Sequence, residues 1–297
     1  MATLIPISSA FLPGRLGGLL LSFILLLVPL QLNADSLEEV RERGSIRIAI
    51  ADERPYGYQG QDGRILGAGP EIIGHVLEQL DIGEIDWVVT EFSNLMPGLE
   101  AGRFDMAAAE MAILPERCGR VLFSEPNTSY GEGLLVLASN PNRILGYEDF
   151  ADRPDRLRVA VQAGTVQEEI LALLGVPEQR IVTVQSPDEA VDAIIRGRAD
   201  AFAATGMTVA SLETRYPEVE VEFNFRDPIV DGEEVRYWGG FAFPKGADTL
   251  RDAVNEALDE IKKNGDWEQT LSRYGFLKKD ILYSYRFDTR TLCQAGR

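Results

Sequence analysis

The chain has 297 residues, with 47 acidic against 29 basic side chains and a formal net charge of −18. That acidity is scattered rather than blocked, serves solubility, and excludes anionic partners such as nucleic acid and anionic membrane surfaces. One histidine, two cysteines and no CxxC pair supply no zinc site and call for no cofactor.

Residues 1–34 stand apart from the rest. Arg15 is their only charge, and Leu16–Leu30 is an apolar run too short and too Gly/Pro-broken for a comfortable membrane span. Small and polar residues follow, with a cut expected after Ala34, so 1–34 reads as a secretory signal peptide and the protein as soluble and exported to a periplasm. Next come SLEEVRERG as a helix, SIRIAIA as a strand, and YQGQDGRI as a turn around Asp62-Gly63. GPEIIGHVLEQL is a helix with Pro70 near its start and His75 as an ordinary helix-face residue. IDWVVTEF is a strand, SNLMPGLEAG a helix and FDMAAAEM a buried strand, followed by a proline turn at LPERC and a short strand at RVLFSEP. RVAVQAG, TVQEEILALLG, RIVTVQS, PDEAVDAIIRG and ADAFAATGM continue the alternation, which is the signature of α/β architecture with largely parallel sheets. The helices DTLRDAVNEALDEIKKNG and DWEQTLSRYG precede a polar tail carrying Cys293.

Thr90–Met111 resembles Thr183–Met207: both run strand, Ser, helix, Gly-Arg-x-Asp, strand. Gly102-Arg103-Phe104-Asp105 aligns with Gly197-Arg198-Ala199-Asp200, which implies two similar lobes, each with its own sheet. Glu110 and Thr205 then fall at equivalent strand ends, where open α/β sheets bind ligands. The extended runs Gly131–Asn142 and Glu234–Gly246 are the expected crossings between lobes, giving lobe 1 over 35–138, lobe 2 over 139–235, and a return to lobe 1 with C-terminal helices over 236–297. The two cysteines, Cys118 and Cys293, are expected to form a disulfide in an oxidising compartment, the alternative being two unpaired thiols.

The segments RIAIADERPYGY, VVTEFSNLMPGLEAGRFDMAAAEM, LPERC, FSEP, PNRILGYEDFA, DPIVDG and GFAF resemble family 3 of the extracellular solute-binding proteins, the polar amino-acid receptors of ABC importers. The resemblance covers Ser36 to about Cys293 and runs closest to the ectoine/hydroxyectoine-binding branch. It implies a two-lobe periplasmic-binding-protein fold, each lobe a mostly parallel sheet flanked by helices. It also implies a small zwitterionic ligand between closing lobes, an inner-membrane ABC permease as partner, and a monomer. Arg117 matches the family arginine that pairs with the ligand carboxylate, for which a planar guanidinium fork is suited. Thr165, at the start of TVQEEILALLG, is placed to hold the other carboxylate oxygen or to cap the helix. Thr205 stands where amino-acid-binding relatives carry an acid for the α-ammonium. Glu53 then becomes the counter-charge for a cyclic amidinium, with Tyr56 and Phe92 stacking on its ring. Two departures bear on the pocket: Ala112 replaces an aromatic wall, and Glu110 replaces a small residue, an added acid that favours a more cationic ligand or a wetter pocket. The competing readings are a polar or cationic amino-acid receptor, a dehydratase-like enzyme using Glu53 and Glu110 as acid and base, and a signalling sensor module.

Overall fold

The computed structural model describes residues 36–153 and 156–294. The expected signal peptide lies outside them, as do the last three residues of the tail. Among the described residues no helix is long and apolar enough to cross a membrane.

Eight strands follow one path in a mixed α/β fold, and two short strands, Leu122–Phe123 and Val219–Val221, pair beside it. Glu84–Val89, Ser45–Ile50 and Met106–Ala112 lie side by side and parallel. Arg236–Phe243 joins them antiparallel. Thr128–Leu137, the crossing strand, comes next. Its Thr128–Gly131 stretch pairs with Arg236–Gly239, and its Glu132–Val136 stretch pairs with Ala201–Thr205. Val159–Gln162 and Ile181–Val184 complete the second half in parallel. The central parallel strands are covered on both faces, which is why they are mostly apolar or small: every residue of Met106–Ala112, Val159–Gln162 and Ala201–Thr205 is buried, whereas the edge strand Glu84–Val89 keeps exposed positions. Helix Ala68–Gln79 turns Ile72, Ile73, Val76 and Leu77 into the core, and helix Asp248–Asn264 turns Leu250, Val254, Ala257, Leu258 and Ile261 inward.

Each half of the path has its own sheet, as the repeat implies, and the two sheets share one strand. The two expected crossings pair with each other, and the crossing strand belongs to both halves of the path. It also starts at Thr128, three residues before the run read as extended. The segment read as a proline turn is a short helix, Pro115–Arg120, with Pro115 in its first turn, where the missing N–H costs nothing. The polar tail is helical too, in Lys278–Tyr283 and Thr289–Gln294.

The internal repeat has a physical basis. Gly102 and Gly197 both end their helices in the left-handed region, at φ 64° and 65°, where a side chain is disfavoured. Asp105 N–H donates to Arg47 O at 2.9 Å, and Arg47 N–H donates back to Asp105 Oδ2 at 2.8 Å. Asp200 and Arg158 repeat both bonds, each at 2.7 Å. Each Asp thus locks the end of its helix to the start of the neighbouring strand. The repeat therefore begins earlier than the Gly-Arg-x-Asp signal, with Arg47-Ile48-Ala49-Ile50 matching Arg158-Val159-Ala160-Val161.

Candidate functional site

Each half of the sheet ends its parallel strands toward the same space. After Ser45–Ile50 the chain turns through Glu53 and Tyr56; after Val159–Gln162 it turns through Gly164 and Thr165 into helix Val166–Leu173. One cavity of about 340 Å³ lies between these turns, counting its open mouth. Glu53, Tyr56, Phe92, Glu110, Arg117, Thr165 and Thr205 all line it, so the seven residues singled out in the sequence come together. Ala109, Ala112, Tyr130, Val166 and Gln167 complete the wall. A second space of about 700 Å³, counting its open mouth, shares Phe92 and Arg117 with the first and is also lined by Met96, Met111 and Gly164.

Arg117 projects from helix Pro115–Arg120 and is 8% exposed. Its Nη1 donates to Ala112 O at 3.3 Å and its Nη2 to Gly164 O at 3.0 Å, both backbone carbonyls. Burial pulls its pKa down, with Tyr130, Glu116, Tyr237 and Glu169 opposing, yet an arginine stays charged. A Cβ on Gly164 would stand 3.2 Å from the Ser93 backbone, which would have to give by a few tenths of an ångström, so this turn lies close against the segment that carries Phe92. The guanidinium lies 5.8 Å from the Phe92 ring centroid. Phe92 therefore faces Arg117 as well as the space a ligand would fill.

The opposite wall is acidic. Glu53 Oε1 accepts the hydroxyl of Thr208 at 2.5 Å. Thr208 Oγ1 lies 2.9 Å from Thr205 Oγ1, which in turn accepts the Tyr56 hydroxyl at 2.8 Å. Two cross-cavity hydrogen bonds thus join the first turn to helix Gly206–Glu213, whose N-cap is Thr205. Burial lifts the Glu53 carboxyl to about 7 against the Thr208 hydrogen bond that favours the anion. Tyr56 packs edge-on against Tyr130 at 5.6 Å and Phe276 at 5.9 Å, so its ring is part of a framework as well as a wall.

Glu110 sits at φ 49°, within the irregular pairing between Met106–Ala112 and Arg236–Phe243. Its Oε1 accepts Asn127 Nδ2 at 2.6 Å and its Oε2 accepts the Thr128 hydroxyl at 2.9 Å. Burial raises it to about 7, although Asn127, Thr128 and the charge of Lys262 oppose the rise. Both carboxylate oxygens are thus engaged by the protein itself. Thr165 occupies the N-cap position of helix Val166–Leu173, but its hydroxyl donates to Gln162 O at 2.7 Å instead of capping the helix.

Three polar residues of the site were not singled out in the sequence. Thr208 is three residues beyond Thr205, a spacing that places both on one helix face. Gln167 belongs to the first turn of its helix, and Tyr130 to the crossing strand. The repeat could have pointed to Gln167, because the turn after Arg158-Val159-Ala160-Val161 is the counterpart of the turn that carries Glu53.

Cys118, next to Arg117, is disulfide-bonded to Cys293, with Cα atoms 5.7 Å apart. Leu292 and Cys293 pack on the cluster of Leu95, Val121 and Phe123. Thr289 Oγ1 donates to Ser124 O at 2.6 Å, fastening the last helix on the chain just beyond the arginine.

Residues 46–278 match the model of the bacterial extracellular solute-binding proteins, family 3. The chain is 43% identical over 97% of its length, and 96% of the relative's, to a protein of Sinorhizobium fredii (strain NBRC 101917 / NGR234) described as a probable amino-acid ABC transporter periplasmic-binding protein, y4tE. Among solved structures, EhuB in complex with hydroxyectoine is similar at 31% identity and a TM-score of 0.79, covering 88% of this chain and 100% of that one. An ancestral amino acid-binding protein, AncCDT-1, described as a precursor of cyclohexadienyl dehydratase, is similar at 28% identity and a TM-score of 0.70, covering 80% of this chain and 99% of that one.

Proposed function

The chain belongs to family 3 of the bacterial extracellular solute-binding proteins, and from that membership we propose that it is the periplasmic receptor of an ABC importer, capturing a small carboxylate-bearing zwitterion such as ectoine or hydroxyectoine. It is a binding protein, as its family is, and not an enzyme. Delivery to an inner-membrane permease is part of this proposal, as is a lobe division near residues 138 and 235.

One observation carries the reading. A buried arginine, hydrogen-bonded only to backbone carbonyls, faces a cavity whose far wall holds a buried carboxylate. An anionic and a cationic group on one small solute would complete both. The ligand carboxylate takes the Arg117 fork, with Thr165 beside it. The cation takes Glu53, with Tyr56 and Phe92 as ring faces, each cation–π contact contributing about 0.5–2 kcal/mol. Closure of the two lobes excludes water and strengthens both pairs.

The ectoine reading is supported by the likeness to a hydroxyectoine complex and by Thr205, a neutral residue where an α-ammonium would need an acid. A polar or cationic amino acid is the second reading, supported by the description of the 43% identical relative and by the number of carboxylates around the cavity. Calorimetric titration with ectoine, hydroxyectoine and a set of amino acids tests both. Saturable binding of one of these compounds, each a carboxylate with a cationic nitrogen, supports the proposal; heat from none of them rejects it.

A further inference from the structure

Glu132 lies where the crossing strand changes partners: Gly131 still pairs with Arg236, and Glu132 already pairs with Thr205. Residues two apart on a strand share a face, so Glu132 stands on the face of Tyr130, which lines the cavity. Glu132 is 6% exposed. Its Oε2 accepts Gln167 Nε2 at 2.7 Å and the Tyr147 hydroxyl at 3.1 Å, and Gln167 is itself a cavity wall. Its Oε1 is buried with no hydrogen-bond partner. Asp227 and Glu53, the charges acting on it, are both negative, and burial lifts its carboxyl to about 7.

A purely structural role does not account for this arrangement. Bracing Gln167 and Tyr147 needs one acceptor oxygen, which a neutral glutamine would supply. An acid adds a second oxygen and a charge, and both are left without a partner. Buried polar atoms are nearly always paired, so an orphan beside a cavity marks where a donor is missing. Glu110, by contrast, has both oxygens engaged and Lys262 nearby.

Resting on the reading of this cavity as the ligand site, and favouring the second of its two ligand classes, the cationic amino acids, over ectoine, we propose that Glu132 is a second acidic contact for the ligand, so that the site prefers a carboxylate carrying two cationic nitrogen groups over one with no net charge. Arg117 contributes one positive charge, and Glu53 and Glu132 contribute two negative ones. A ligand of net charge +1 brings that group to neutrality and supplies N–H donors to both acids. A zwitterion leaves one buried acid without a counter-charge, and that acid must then take up a proton.

Calorimetry at pH 8 with L-arginine (net +1), and with ectoine and L-glutamine (net zero), tests the assignment on wild type, Glu132→Gln, Glu132→Asp and Arg117→Ala. Wild type should bind arginine most tightly. Glu132→Gln, which keeps the bond to Gln167, should lose at least tenfold for arginine and shift less than threefold for the neutral compounds. Glu132→Asp should retain the preference for arginine. Melting curves confirm that each variant is folded. Equal loss for all three compounds, no loss for arginine, or a wild type that binds only the neutral compounds overturns the proposal. Arg117→Ala reports separately on the site: loss of every compound upholds the ligand reading whatever Glu132 does, and full retention removes that reading. A wild type that binds none of the three removes both.

Discussion

Removing the disulfide should cost both stability and affinity. The bond joins residues 175 apart in sequence. A loop of that length corresponds to about 17 cal/mol/K of lost unfolded-state entropy, or about 5 kcal/mol at 25 °C as a ceiling, with about 2–4 kcal/mol typical. Part of the tail's docking survives without it, because Thr289 still bonds Ser124 O and Glu125 Oε2, and Leu292 still packs against the core. Near 3 kcal/mol is therefore the expected loss, or about 6–12 °C in melting temperature for a chain of this size. Arg117 precedes the bonded Cys118 on a helix of only six residues, so loosening that helix blurs the direction of the guanidinium. The assay is the Cys118→Ser/Cys293→Ser double variant, melted and titrated with ligand beside oxidised wild type. A several-fold weaker affinity should accompany the lower melting point. An unchanged melting temperature refutes the clamp; a lowered one with unchanged affinity refutes its control of Arg117.

Arg117→Ala should weaken binding by about 2–5 kcal/mol, because it strands the ligand carboxylate in a closed cleft, and Arg117→Lys should recover only part of that; titration of folded protein decides. Stability of the unliganded protein should fall as pH rises from 5.5 to 8. Glu53, Glu110 and Glu132 have folded-state values of about 7 against 4.5 in the unfolded chain, so their contribution is complete below 4.5 and lost as pH passes 7. Each is worth at most about 3 kcal/mol, and less together because Glu53 and Glu132 interact. Urea midpoints at the two pH values check the slope, which Glu110→Gln should flatten; stability that rises over this interval contradicts the argument. Gly98→Ala should destabilise by about 1–3 kcal/mol, since its Cβ would stand 2.2 Å from the Phe104 ring; a melting curve unchanged from wild type refutes that packing.

The strands and helices were legible because the central parallel strands are mostly apolar or small residues and the helices carry a clear apolar face. The repeat was legible because Gly102 and Gly197 must adopt the left-handed region and Asp105 and Asp200 must fasten a strand. The crossing strand was expected from Gly131, but its start at Thr128 and its change of partner escaped. Its pairing changes partner between Gly131 and Glu132, and nothing in GEGLLVL marks that switch. The seven candidate residues were placed through resemblance, and Glu110 and Thr205 also through the repeat, both of which supplied positions but not partners. That Glu110 is held by Asn127 and Thr128 depends on a left-handed residue within a strand, which sequence periodicity does not reveal. Thr208 and Glu132 escaped for the same reason. Each matters through a neighbour distant in sequence: Thr208 through Glu53, and Glu132 through Gln167 and Tyr147.

The most direct test weighs what the cavity holds. Wild type and Arg117→Ala are expressed side by side in medium supplied with ectoine, hydroxyectoine and the common amino acids, purified without dialysis, denatured, and the released small molecules identified by mass spectrometry. The account predicts one compound, near one equivalent per chain, bearing a carboxylate and at least one cationic nitrogen, and its absence from Arg117→Ala. Release of a compound lacking a carboxylate, or equal release from both proteins, contradicts it.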